Sequence, residues 1–238
     1  MHCLRWALVL FVLPAAAAAG TFVSYNGGFH FTYPETWEQL DYQTADYYIN
    51  QATGNLDYEA IFATKDSPAV FEGVYVILTL DTSGLMSQPQ IDSAVAVVRK
   101  SFDRELVDLP LDSLATGLDE SMVAYDHDNQ LLAVLSDVTE EGGVPRKNLL
   151  VQKFYDRGTA NFYLYSPDSV MAGSMESLRA ILASFSTEEV RQDTGPVKIA
   201  DIESRKSEGV DPNVILFCGL AVILVGLILV RARQRKKK

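Results

Sequence analysis

The stretch that most restricts this chain is GGFHFTYPETWE, residues 27–38. Phe29, Phe31 and Tyr33 alternate with other residues. Strand side chains point to opposite faces in turn, so all three rings belong on one face of a strand. Pro34 ends the ladder because it has no N–H to give, and Trp37 follows three residues later. The expected arrangement is an aromatic cluster on one sheet face, with Trp37 folded back over it as a lid. His30 falls on the opposite face, where it reads as a strand residue rather than a catalyst.

The rest of the body alternates between the two periodicities. Two short strands are expected on either side of Asn26-Gly27-Gly28, a hairpin signal. Ala45, Tyr48, Ile49 and Ala52 recur at helical spacing, and the segments LDYEAIFATK and FEGVYVILTLDT read as β-branched and aromatic strands. SQPQIDSAVAVVRKSFDREL, running to Leu106, is the clearest helix: Ser87 and Gln90 form a capping box and Pro89 sits in the first turn. Ile91, Ala94, Val95, Val98 and Phe102 make its apolar stripe. Four more strands are expected at SMVAYD, QLLAVLSDV, KNLLVQKFYD and TANFYLYS, with turns at 126–129, 141–143 and 156–158. A closing helix follows Pro167, with Met171, Met175, Leu178, Leu182 and Phe185 on one side.

In this order of elements, and in two motifs, the chain resembles the PsbP-like superfamily, the fold of the photosystem II extrinsic protein and of a Ran-binding nuclear-transport factor. Phe29, Phe31, Tyr33, Pro34 and Trp37 match its opening F-x-F-x-Y-P-x-x-W, and Ile181, Leu182, Ser184 and Phe185 match its closing I-L-x-S-F. The resemblance spans roughly residues 22–186. It implies an α+β, α/β/α sandwich-like fold: a central, mainly antiparallel sheet flanked by helices. Members are mostly binding or assembly factors without shared catalytic residues, so it implies a fold and no reaction.

The two ends imply export and anchoring. Residues 1–19 read as a signal peptide, with Arg5, the apolar core Trp6 to Leu13, Pro14 and an alanine run that offers cleavage near Ala19. The domain is expected over 20–186, followed by a polar tether over 187–212. A transmembrane helix then covers 213–230 and a basic tail 231–238. Val214 to Val230 is apolar without a polar face, and six basic residues follow it, the pattern of a span whose tail stays in the cytoplasm. All 31 acidic residues lie between Gly20 and Pro212, with 13 of the 20 basic ones. An exported domain so acidic repels nucleic acid. After processing, Cys218 is the remaining cysteine and lies in the span; no N-x-S/T sequon occurs. These features suit a bacterial envelope. The expected partners are the lipid bilayer, through Val214 to Val230, and a protein outside the cytoplasmic membrane.

Chemistry has few candidates. Asp126, His127 and Asp128, with Asn129, have the residue types of a divalent-cation site. They also lie between two strands, where Asp and Asn form turns, and the turn is the favoured reading. G-x-S-x-G, H-E-x-x-H and a phosphate loop do not occur. The carboxylate pairs Glu140/Glu141 and Glu188/Glu189 read as solvated, and Tyr47/Tyr48 and Tyr163/Tyr165 as half-buried. The expectation is a membrane-anchored, non-enzymatic binding or assembly module with no cofactor. The alternatives are a small-ligand or lipid-binding domain using Met86, Met122, Met171 and Met175, and, as the weakest, a metal-dependent enzyme.

Overall fold

The computed structural model describes residues 20–188 except 53–55, 68–70 and 139–144. The expected signal peptide, most of the tether, the span and the basic tail lie outside the described residues, as do Glu140, Glu141, Glu189 and the expected turn at 141–143. Among the described residues, no helix is long and apolar enough to cross a membrane.

The aromatic strand pairs first with its neighbour. β1 (Gly20–Ser24) and β2 (Phe29–Tyr33) form an antiparallel hairpin, with Phe22 opposite Phe31. Gly28 turns it at φ 66°, a left-handed conformation that glycine adopts without strain. The hairpin is a sheet of its own, not part of the main one. Pro34 accepts the Trp37 N–H at 2.9 Å, so Pro34 to Trp37 is a tight turn. That turn delivers Trp37 into β3 (Trp37–Gln39), an edge strand of the main sheet. Trp37 is only 3% exposed and shares the core with Phe22, Phe29 and Phe31. The expected lid is therefore a strand residue that faces the rings from the opposing layer.

The main sheet has eight strands in the order β3–β4–β5–β10–β9–β8–β7–β6, the last being the short strand Glu105–Asp108. β4 (Ala60–Thr64), β5 (Tyr75–Asp81), β7 (Met122–Asp126), β8 (Leu131–Val138), β9 (Arg146–Tyr155) and β10 (Gly158–Pro167) coincide with the expected strands. β7 to β10 run as an antiparallel meander, and β10 returns to pair with β5 at the centre. Gly158 closes the β9–β10 turn at φ 144°, where a Cβ would stand 1.8 Å from the Asp81 carbonyl oxygen, so a side chain does not fit.

Alternation divides the sheet between two layers. Phe62, Val76, Leu78, Leu149, Val151, Phe162 and Leu164 point to the hairpin and to α4 (Met171–Ala183). Residues of the other parity face two helices: Ile61 and Ile77 meet Ala45 and Ile49 of α1 (Tyr42–Ala52). Val123, Tyr125, Leu132, Val134 and Phe154 meet Ile91, Val95 and Val98 of α2 (Gln88–Phe102). Each such buried aliphatic side chain contributes about 1.5–3 kcal/mol by leaving water. The molecule is thus α+β, with a large, mostly antiparallel sheet flanked by helices.

Three local expectations change. α2 begins as expected, the Gln90 side chain accepting the Ser87 N–H at 2.8 Å, but it ends at Phe102, short of Leu106. Asp103 turns left-handed (φ 52°, ψ 48°) and caps the helix. β6 (Glu105–Asp108) then pairs parallel with β7. Arg104 drives the exit: its guanidinium reaches the Leu135 carbonyl and lies 5.1 Å from the Phe102 ring centre. A 3₁₀ turn at Leu111–Ser113 running into α3 (Leu114–Gly117) fills the loop after β6 and buries Leu111 and Leu114.

The closing motif meets the opening one. Ser184 Oγ accepts the Thr32 N–H at 2.9 Å, and its one proton is shared between the Ile181 carbonyl at 2.8 Å and the Thr32 carbonyl at 3.2 Å. Ser186 and His30 exchange backbone hydrogen bonds of 2.8 and 2.9 Å. Phe185 stacks on Phe29 with ring centres 4.5 Å apart. The exit segment therefore runs along the free edge of β2, opposite β1.

Candidate functional site

Asp126 ends β7 buried, and its carboxylate is consumed by the turn that follows. Oδ1 accepts the N–H groups of Asp128 and Asn129, each at 3.0 Å; Oδ2 accepts the Leu111 N–H at 2.6 Å and the Asn129 side-chain amide at 2.8 Å. Burial alone raises this carboxyl's pKa. The bonds from Asn129, Leu111 and Asp128 together outweigh it and hold the group below its ordinary value. His127 lies edge-on to Tyr125, ring centres 4.3 Å apart. Among the described residues, no three His, Cys, Asp or Glu side chains converge as a metal centre would require. Asp126 organises backbone, joining the β7–β8 turn to the loop that starts at Leu111.

Met86 and Gln88 edge an open cleft of about 250 Å³, walled by Leu85, Ile91, Phe154 and Gln130. Tyr155 and Asp156 also line it, and the buried Tyr155 hydroxyl has no hydrogen-bond partner among the described residues, whereas Gln130 and Gln88 are joined through the Tyr125 hydroxyl, which donates to Gln130 Oε1 at 3.1 Å and accepts from Gln88 Nε2 at 3.4 Å. The other methionines expected to line a pocket are packed against the core, Met171 and Met175 fully and Met122 in part.

The surface feature with the strongest chemical character lies at the N-terminal end of α1. Asp41 caps the helix, accepting from the Thr44 N–H at 3.0 Å and its hydroxyl at 2.7 Å. Tyr42 follows, 63% exposed, its ring centre 6.2 Å from that of Tyr58. The Tyr58 hydroxyl donates to Asp46 Oδ1 at 2.6 Å, and Asp46 lies one helical turn beyond Tyr42. The Tyr42 hydroxyl donates to the Glu59 carbonyl at 3.3 Å. The Glu59 carboxylate accepts from Ser24 Oγ at 2.7 Å and Asn26 Nδ2 at 3.2 Å, which frames Tyr25, 79% exposed, in the hairpin turn. Both phenols are pushed above their usual pKa. For Tyr42 the causes are burial, then Glu59 and Asp46; for Tyr58, burial, then Asp46, Tyr42 and Asp41. The charged groups that raise these two phenols are carboxylates. The patch thus presents aromatic faces in a field of carboxylates.

The sequence reading missed this site. Tyr163 and Tyr165 are half-buried on β10 as expected, but Tyr47 is 61% exposed on α1, and the side chain of Tyr48 lies outside the described residues. One signal was available: between Arg5 and Lys65 the chain has no Lys or Arg, while Glu35, Glu38, Asp41, Asp46, Asp57 and Glu59 fall in that interval.

No protein-family model matches the sequence, and neither does any curated protein. Among solved structures, the chain is similar to the solution structure of cyanobacterial PsbP (CyanoP) from Synechocystis sp. PCC 6803. The identity is 14%, over 74% of this chain and 95% of that one, with a TM-score of 0.40. It is also similar to a crystal structure from Bacteroides thetaiotaomicron VPI-5482, at 12% identity over 71% of this chain and a TM-score of 0.43, and spans about half (48%) of that chain's length. Likenesses of this strength define neither a family nor a role.

Proposed function

We propose that this protein is a membrane-anchored, extracytoplasmic, non-enzymatic binding or assembly module of PsbP-like type, engaging a protein partner through the exposed tyrosines around α1. The observation that carries the reading is Tyr42 and Tyr25 held largely in solvent beside fixed carboxylates. Tyrosine offers large, stiff, amphipathic contact area, and such residues dominate protein interfaces. The two sequence motifs support the fold type, and the apolar run before the basic tail supports the anchor. The turn role of Asp126 favours binding over catalysis, since it commits the strongest candidate acid to the backbone.

Cross-linking in intact cells, followed by recovery through a tag after Lys238, tests the reading. A discrete cross-linked protein is expected. Recovery of the chain alone under several growth conditions refutes it.

The open cleft edged by Met86 favours a second reading, a small-ligand site. Native mass spectrometry of the purified chain separates the two: a co-purifying small molecule supports the cleft, and an empty chain supports the protein-binding module.

A further inference from the structure

We infer that the α1 patch is a docking platform for a cationic, arginine-bearing segment of a partner protein, received on the Tyr42 ring between Asp41, Asp46 and Glu59. This rests on the reading of the chain as a protein-binding module and adds the chemistry of what it binds.

The argument begins with charge complementarity. Asp41 precedes Tyr42 at the start of α1, Asp46 lies one turn on and accepts from the Tyr58 hydroxyl at 2.6 Å, and the Tyr42 hydroxyl sits on the Glu59 carbonyl, so three carboxylate residues surround the two rings. A guanidinium entering that field is attracted, whereas an acidic or phosphorylated segment is repelled. The nearby cation Arg157 lies over Gly28 in the hairpin turn, so it biases the occupant toward Tyr42 rather than Tyr25.

The second element is the ring. A cation over the face of an exposed tyrosine gains from its quadrupole, and arginine also stacks its flat fork on the ring, which lysine does not. The ring is already set for this: Tyr58 flanks it, and its hydroxyl is fixed on the Glu59 carbonyl. Third, the carboxylates keep acceptor capacity. Asp46 uses one oxygen for Tyr58, and a carboxylate offers about four lone-pair sites, enough for an additional N–H fork. The anchors are placed before the partner arrives, which lowers the cost of ordering them on binding.

The test uses the full chain in nanodiscs of zwitterionic lipid, titrated with fluorescent octa-arginine, octa-lysine and octa-glutamate. Octa-arginine is expected to bind more tightly than octa-lysine, and octa-glutamate not at all. Tyr42→Ala should weaken octa-arginine about fivefold, and Tyr42→Ala with Asp46→Asn about tenfold or more. Tyr42→Phe, which retains the ring but loses the hydroxyl bond that holds it, should fall between the wild type and Tyr42→Ala, and Asp108→Asn, which removes an exposed charge on β6, should bind like the wild type. Equal binding by the wild type and Tyr42→Ala overturns the platform, as does equal binding of the arginine and lysine peptides. Tyr42→Ala is also carried into the cell cross-linking. If it captures the partner as efficiently as the wild type does across a dilution series, the platform is wrong and the binding-module reading stands; if the wild type captures nothing, the module reading itself fails.

Discussion

At the scale of single residues, the two aspartates at element ends do opposite kinds of work. Asp41 caps a helix in solvent, whereas Asp126 is buried and satisfies four donors from three residues. Replacing Asp126 with alanine orphans those donors and should cost about 3 kcal/mol, read as a fall in the urea midpoint at pH 7. The same carboxyl makes a pH prediction. Its folded-state pKa lies below its ordinary value, so the unfolded chain takes up the proton first. Its contribution is complete above an unfolded pKa of about 3.9 and is lost as pH falls through the lower folded value. Asp126→Asn should remove that component, flattening the acid limb of the stability profile below about pH 4. An unchanged limb would mean that other carboxylates carry it. The turn role was readable from Asp-x-Asp-Asn between two strands. The burial was not, because the Leu111 N–H that fixes it comes from fifteen residues away.

At the scale of elements, legibility followed periodicity. Long strands with clear alternation and the capped start of α2 were readable, since each is written in contiguous residues. β3, with three residues, is too short to show a period. β6 hid behind the helix, because Leu106 extends the spacing of Phe102 while Arg104 and Asp103 take the chain elsewhere. The hairpin strands were readable, but their separation from the main sheet was not: it depends on which edge each strand meets. The exit clasp belongs to this scale too. Ser184→Ala removes the acceptor of the Thr32 N–H and the hydroxyl proton shared by the Ile181 and Thr32 carbonyls, and should cost about 1 kcal/mol. Hydrogen exchange should localise the loss, with the Thr32 amide exchanging faster while the amides of β9 and β10 keep their protection. Uniform acceleration across the sheet would show instead that the clasp and the core open together.

For the whole molecule, charge and orientation are linked. The tail after Val230 has six basic residues and no acid, against a chain whose acids all precede it. Moving those cations across a membrane is costly, so the orientation proposed above leaves them in the cytoplasm. In that proposed orientation the seventeen apolar residues from Val214 to Val230 would rise about 26 Å if helical, short of the ~30 Å hydrocarbon layer, so a nearly upright span is expected. Protease added to intact spheroplasts should digest the domain and leave a tag after Lys238 on a small fragment. Digestion of the tag in sealed cells would reverse the topology and remove the α1 patch from any external partner.

The clasp on β2 also has a mechanical meaning. β1 lies along one edge of β2 and the exit segment along the other, so the beginning and the end of the domain load the same small ribbon. In the proposed anchored arrangement, tension along the tether would be received first by the His30–Ser186 pair and the Phe185 ring, not by the eight-stranded sheet. A pull from the membrane side would peel that short seam residue by residue while the helix-backed sheet, with α1 and its tyrosines, kept its shape. In the anchored arrangement proposed above, the domain would hang from its aromatic hairpin, with a breakable seam between the leash and the proposed partner surface.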